Sequence, residues 1–162
     1  MKKTIVKLSS AIIFTFFVSF IIALPNRTFA EDTYKVGVLQ PFSGVYSIYG
    51  EEAYAACQVA AEHFNAAGGV MGRKVELVKA DTQVKVDTAV REAKNLILRD
   101  KVDAIIGPTS SGSNLGVIEI TKENKMIHLS TIAATEKATR ERIHPYYFQL
   151  TPNSYMESIA IA

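Results

Sequence analysis

Val102-Asp103-Ala104-Ile105-Ile106-Gly107-Pro108-Thr109-Ser110-Ser111-Gly112-Ser113 decides how this chain folds. Val102 to Ile106 is almost continuously apolar, as a strand buried on both faces must be. The glycine- and hydroxyl-rich loop Gly107 to Gly112 stops it, and a helical pattern runs on from about Ser113 to Asn124. A buried strand, a short polar loop and a helix make one unit of a wound α/β fold.

The same unit recurs on both sides. Upstream, Tyr34 to Leu39 reads as a strand ended by Pro41 and Gly44, followed by a helix from about Gly50 to Ala67 with Tyr54, Cys57, Ala61 and Phe64 on one face. Gly68-Gly69 closes that helix with the positive φ a C-terminal cap needs. A strand over Lys74 to Ala80, with Val75, Leu77 and Ala80 assigned to one side, leads to a helix over Val86 to Arg99. That helix packs through Ala89, Val90, Ala93, Leu96 and Ile97. Downstream, Met126 to Leu129 and Tyr146 to Leu150 are the fourth and fifth strands, and Asn153 caps a final helix. Strands alternating with helices predict a parallel sheet with helices on both faces. Ligands of such sheets bind beyond the carboxyl ends of the strands. Three loops leave that edge, Gln40 to Tyr49, Gly107 to Gly112 and Ser130 to Thr135.

Residues 1–30 stand apart. Lys2, Lys3 and Lys7 precede an apolar run from Ala11 to Leu24, and Pro25 and Thr28-Phe29-Ala30 follow it. This is the layout of a cleavable secretory signal peptide. The charge-free run from Leu8 to Asn26 is also just long enough to anchor in a membrane. The short apolar core and following cleavage site favour removal, so the expected mature segment is 31–162 and is exported. The leader holds four of the 18 basic residues and no acidic one, which leaves 14 against 16 and turns the net charge from +2 to −2. Nucleic acid loses its compositional support as a partner. A single cysteine, Cys57, excludes an internal disulfide.

The chemistry concentrates at the loops. Gly107 to Ser113 lies where unpartnered helix N–H groups meet an anion, and a carboxylate suits that place as well as a phosphate. The same spacing equally describes a serine cap with no ligand. The loop has neither the three glycines of a dinucleotide fingerprint nor the lysine of a P-loop, and no Gly-x-Ser-x-Gly elbow occurs. In Ser130 to Thr135, small residues leave the backbone approachable and Thr135 offers a hydroxyl, or else the loop is small only for packing. Tyr46 and Tyr49 either wall a pocket or pack on the sheet. His63, His128 and His144 share no metal-ligand spacing, so neither a metal nor a cofactor is expected.

Asn65-Ala66-Ala67-Gly68-Gly69-Val70-Met71-Gly72-Arg73-Lys74-Val75 resembles a specific signature of the periplasmic leucine/isoleucine/valine-binding proteins. Val38 to Gly44 with Tyr49-Gly50 is similar to that family's first strand and loop. Asp103 to Pro108, Ala133-Ala134-Thr135 and His144 to Phe148 match later landmarks in order, so the likeness covers essentially all of residues 31–162.

The resemblance implies the first lobe of a type I periplasmic-binding fold, two α/β lobes that close on a small ligand and deliver it to an ABC permease. It implies that Ser111 and Thr135 hold an α-carboxylate, that the Ala133 carbonyl beside Ala134 accepts from the ammonium, and that Tyr49 walls the pocket. Thr109 stands where the family has an apolar contact, which opens the preference beyond aliphatic side chains. Ser110 occupies one position of a disulfide found in some members. The implied function is a non-enzymatic receptor for branched-chain or related amino acids, touching a membrane only through its permease. The alternative is a ligand-sensing receptor or regulator on the same fold. Family members carry a second lobe that is missing after Ala162, so a truncated chain that binds poorly alone is expected.

Overall fold

The computed structural model describes residues 33–162, and the expected leader over 1–30 lies outside the described residues. The strands are β1 (Tyr34–Gln40), β2 (Val75–Asp81), β3 (Ala104–Ile106), β4 (Ile127–Ser130) and β5 (Tyr147–Gln149). They form one sheet in the order β2-β1-β3-β4-β5, with every pairing parallel. The helices are α1 (Ser47–Ala66), α2 (Val86–Leu98), α3 (Ser111–Glu123), α4 (Glu136–Arg140) and α5 (Ser154–Ile161).

Pleating sorts each strand between two layers. Leu39, Ala80 and Ile105 join Ala89, Ala93 and Leu96 of α2 and Val117 and Ile120 of α3 in one buried cluster, with Val90 and Ile97 packed against it. Gly37 faces that layer because a side chain there would press into Leu96, its built Cβ lying 2.8 Å from Cδ1. On the opposite face, Tyr34, Val36, Val75 and Leu77 line a space shared with Cys57, Ala60, Ala61 and Phe64 of α1. Ala80 therefore points away from Val75 and Leu77, contrary to the sequence reading, because residues an odd number apart in a strand face opposite sides.

Two helices begin earlier than their patterns predict. α1 starts at Ser47, so Tyr49 belongs to its first turn and not to the loop, and α3 starts at Ser111 with Ser110 as its cap. α4 was not anticipated, since its five residues are too few to show a period. The expected cap of α5 forms, with the Asn153 side chain accepting from the Met156 N–H at 2.9 Å.

The α1 layer stops short of the far strands. Registered neighbours in parallel strands share a face, so Val38, Ile106, Leu129 and Phe148 form a row across it. Val38 is buried, whereas Phe148 is 49% exposed and Leu150, two residues on, is 67% exposed. No helix among the described residues is long and apolar enough to cross a membrane.

Candidate functional site

The chain runs from β1 to one side and from β3 to the other, so the sheet order reverses between these strands. A crevice is expected outside their carboxyl ends. Gln40 ends β1 there, fully buried. Its Oε1 accepts from the Thr109 hydroxyl at 2.6 Å, while its amide nitrogen has no partner. At the end of β3, Gly107 takes φ +110° and its N–H donates to Leu129 O at 2.9 Å. The His128 ring nitrogen Nε2 donates to the Gly107 carbonyl at 2.6 Å. The loop is thus tied to both neighbouring strands before α3 begins.

Ser110 caps α3, its hydroxyl accepting from the Ser113 N–H at 3.5 Å. That committed hydroxyl fits the capping reading of the loop. Ser111 is the first helical residue, so the unpaired N–H groups of the first turn open at this edge. At the end of β4, Ser130 is buried and donates to Ala133 O at 3.4 Å, and Ala133 is itself buried. The Ala134 carbonyl accepts from the Ser154 N–H at 2.7 Å. Thr135 is the N-cap of α4 without a side-chain cap hydrogen bond. Ser111 and Thr135 therefore start helices at the ends of adjacent strands.

A fourth loop, passed over in the sequence reading, leaves the same edge after β2. The Asp81 carboxylate accepts from the N–H groups of Phe42 and Gln83 at 2.8 and 2.9 Å and so clamps the β1 and β2 loops together. Desolvation pushes the Asp81 carboxyl up, but these N–H donors and Ser43 outweigh it and hold its pKa below the usual value. Val84 is held at φ +57°, an unusual setting for a β-branched residue.

Two hollows result. A cleft of about 260 Å³ is lined by Pro41, Tyr46, Thr82, Val84, Thr109 and Ser110. A more apolar groove of about 430 Å³ runs beside α1 and includes Tyr49, Cys57, Ile106, Thr131 and Ile132. Tyr46 and Tyr49 stack with ring centres 6.2 Å apart, which links the two hollows. Of the expected residues, Thr109 and Ser110 share the first hollow and Tyr49 lines the second. Ser111, Ala133, Ala134 and Thr135 lie along the same strand edge. Cys57 is half-buried and burial raises its thiol pKa, which suits packing rather than nucleophilic chemistry.

Gln40, Asp81 and His128 carry this edge; Gln40 and Asp81 were not singled out from sequence, and His128 was weighed there only as a metal ligand. The available signal was a polar residue inside or ending a strand whose neighbours are apolar. His128 is fully buried, and burial drives its pKa down to about 4, the hydrogen bond to Gly107 opposing this and His144 adding to it. Among the described residues no cluster of His, Cys, Asp or Glu is arranged to hold a metal ion.

Residues 33–162 match the family model described as periplasmic binding protein. An amino acid binding protein of Pseudomonas aeruginosa is 34% identical over 125 residues, spanning 77% of this chain and 33% of that protein. The solved branched-chain amino acid transporter substrate-binding protein LivJ of Streptococcus pneumoniae, in complex with isoleucine, superposes with a TM-score of 0.70. It is 28% identical, and the match covers 75% of this chain and 34% of LivJ. A solute-binding protein of an ABC transporter from R. palustris, in complex with benzoate, superposes at 0.69 with 26% identity, over 75% of this chain and 33% of that one. The chain spans about a third of the length of the relatives it matches. The parallel sheet and its ordered loops agree with these matches, and the chain belongs to the periplasmic binding protein family of the branched-chain amino acid type, whose members bind substrates and are not enzymes.

Proposed function

We propose that these residues form the first lobe of an exported solute receptor and offer half of a carboxylate site to a branched-chain or related amino acid. The observation that carries the reading is the pair of helix starts at Ser111 and Thr135, on adjacent strands at one sheet edge. Free N–H groups and a hydroxyl there present donors to an anion without a buried countercharge. In this reading the Ala133 carbonyl serves the ammonium, and Tyr49, Thr109, Ser110 and Ala134 border the side-chain space.

Thr109 makes the side-chain space less purely aliphatic, and relatives of this fold hold isoleucine in one case and benzoate in another. The feature common to both ligands is the carboxylate. A single wall leaves the ligand half in water, so the lobe alone binds weakly and a second lobe closes the site. Residues 1–30 direct export and are removed after Ala30, and the loaded receptor hands its ligand to an ABC permease.

Two-dimensional amide NMR tests the site at millimolar ligand. Isoleucine and benzoate are expected to shift the amide signals of Ser111, Gly112 and Thr135, while isoleucinamide and benzamide leave them in place. Equal shifts with the amides, or shifts confined to other loops, refute the carboxylate reading. Low-micromolar calorimetric affinity of this chain alone refutes the half-site. Export is checked by the mass of the secreted product, expected to begin at Glu31.

A further inference from the structure

We infer that His128 is a positioning residue that sets the binding loop through a directed hydrogen-bond relay, from His144 through Thr121 and His128 to the carbonyl of Gly107. The inference rests on the reading of Gly107 to Ser111 as the ligand loop.

The direction of each link follows from what each atom can do. Gly107 offers a carbonyl, which only accepts, so His128 Nε2 at 2.6 Å must carry the proton. In the neutral ring Nδ1 is then a bare acceptor, and it lies 3.3 Å from the Thr121 hydroxyl. That hydroxyl has one proton and three acceptors within reach, Val117 O at 3.2 Å, Ile118 O at 3.1 Å and His128 Nδ1. The two carbonyls already receive helical N–H groups from four residues on, whereas Nδ1 has no other donor among the described residues. Satisfying every buried group sends the Thr121 proton to His128. At the far end, the Tyr146 N–H donates to His144 Nδ1 at 3.3 Å, so His144 carries its proton on Nε2 and shares it between the Ile118 carbonyl and the Thr121 oxygen 3.4 Å away.

An apolar side chain at 128 would fill the same space without these requirements. What the imidazole adds is the bond to Gly107, and Gly107 cannot be held by bulk. A Cβ on it would collide with the Leu39 carbonyl. Two buried side chains therefore fix the loop, His128 at residue 107 and Gln40 at residue 109. Only Pro108 lies between these anchors, and Ser110 and Ser111 follow directly with the first turn of α3. Where the α3 donors point is then set from the core side of the sheet.

The test uses the whole chain and three variants. His128→Gln keeps an N–H donor at comparable reach, His128→Leu removes it, and Thr121→Val cuts the middle of the relay. Nitrogen-15 NMR of the unaltered chain should show His128 as the Nε2–H tautomer with Nδ1 accepting. In His128→Leu the hydrogen-bonded loop amides of Gly107, Ser113 and Asn114 should exchange at least tenfold faster relative to Leu39 and Ile105. His128→Gln should restore them to within about threefold of the unaltered chain. Thr121→Val should shift the His128 Nδ1 signal. An Nδ1–H tautomer overturns the proposal even if the variants do not fold. So does equal acceleration of loop and core in His128→Leu, or loop protection in His128→Gln no better than in His128→Leu. These readouts need no ligand, so a chain that shows no shift with isoleucine or benzoate refutes the carboxylate reading and leaves the relay to be judged on its own signals.

Discussion

Arg73 forks onto Asp103, its two terminal nitrogens each 3.1 Å from a different carboxylate oxygen. The same guanidinium donates to Thr33 O at 2.6 Å, and Asp103 also accepts from the Lys35 N–H at 2.8 Å. Val70 and Arg73 close a tight turn in which Met71 and Gly72 have positive φ, and the Asn65 side chain clasps both backbone groups of Val75. All of this lies where β2 and β3 begin, at the opposite edge from the ligand loops. The segment most diagnostic of the family is thus a fastening of the sheet. Arg73→Lys, which cannot fork, is expected to lower the unfolding free energy by about 1 kcal/mol, the pair being partly exposed. Urea denaturation measures it, and the amide shifts that isoleucine or benzoate induces at Ser111 should remain.

Acid should weaken the fold through His128. Its folded pKa of about 4 lies below the ordinary 6.5, so between these values the unfolded chain takes up a proton that the folded chain refuses. The associated stability is complete above pH 6.5 and drains away as the pH falls towards 4, in total by about 3 kcal/mol. His144 is displaced in the same direction, chiefly by burial and then by Lys122, and adds to the slope. Asp81 acts lower, since its depressed carboxyl gives up its contribution only below the usual carboxylate range. Denaturant midpoints at pH 7 and pH 4.5 should differ clearly in the parent and much less in His128→Gln.

Two glycines of the same loop should answer alanine in opposite ways. Gly107 has φ +110° and no room beside Leu39 O, so Gly107→Ala should cost about 3 kcal/mol or prevent folding. At Gly112 the nearest atom to an added Cβ is Val86 Cγ2 at 3.6 Å, an ordinary contact, and the residue is helical. Gly112→Ala should be neutral or stabilise by about 0.5 kcal/mol. Thermal melts of the pair would decide.

The α5 cap offers a smaller effect. Asn153→Ala removes the acceptor of the Met156 N–H and should lower stability by about 1 kcal/mol, with a loss of helical circular dichroism from the last turns.

The layout of the sheet was legible because burial imposes composition. A strand covered on both faces has to read like Val102 to Ile106, and a helix packing on it has to read like Ala89 to Ile97, whose face was assigned correctly. Boundaries were less legible. Ser47 and Ser111 resemble loop residues until the chain has turned, and their membership of a helix depends on caps and close approach rather than on period. The expected site residues do gather on one edge, yet Tyr49 parts from Thr109 into a separate hollow because it rides on α1. The side chains that fix the edge act through partners 39 and 2 residues away in the chain for Asp81, 69 away for Gln40 and 21 away for His128. Pairing of that kind has no local pattern to read.

The half-covered row ending in Phe148 and Leu150 gives the sheet a soft side. Val36 to Gln40 of β1 and Ala104 and Ile105 of β3 are buried, whereas β5 gains burial mainly through Tyr147, and α5 has no buried residue. Sub-global opening should therefore begin at β5 and α5 and spread inward, well before the core yields. Native-state chymotrypsin would register this as early cuts after Leu150 and Tyr155, while Tyr34 and Tyr54 stay intact until global unfolding.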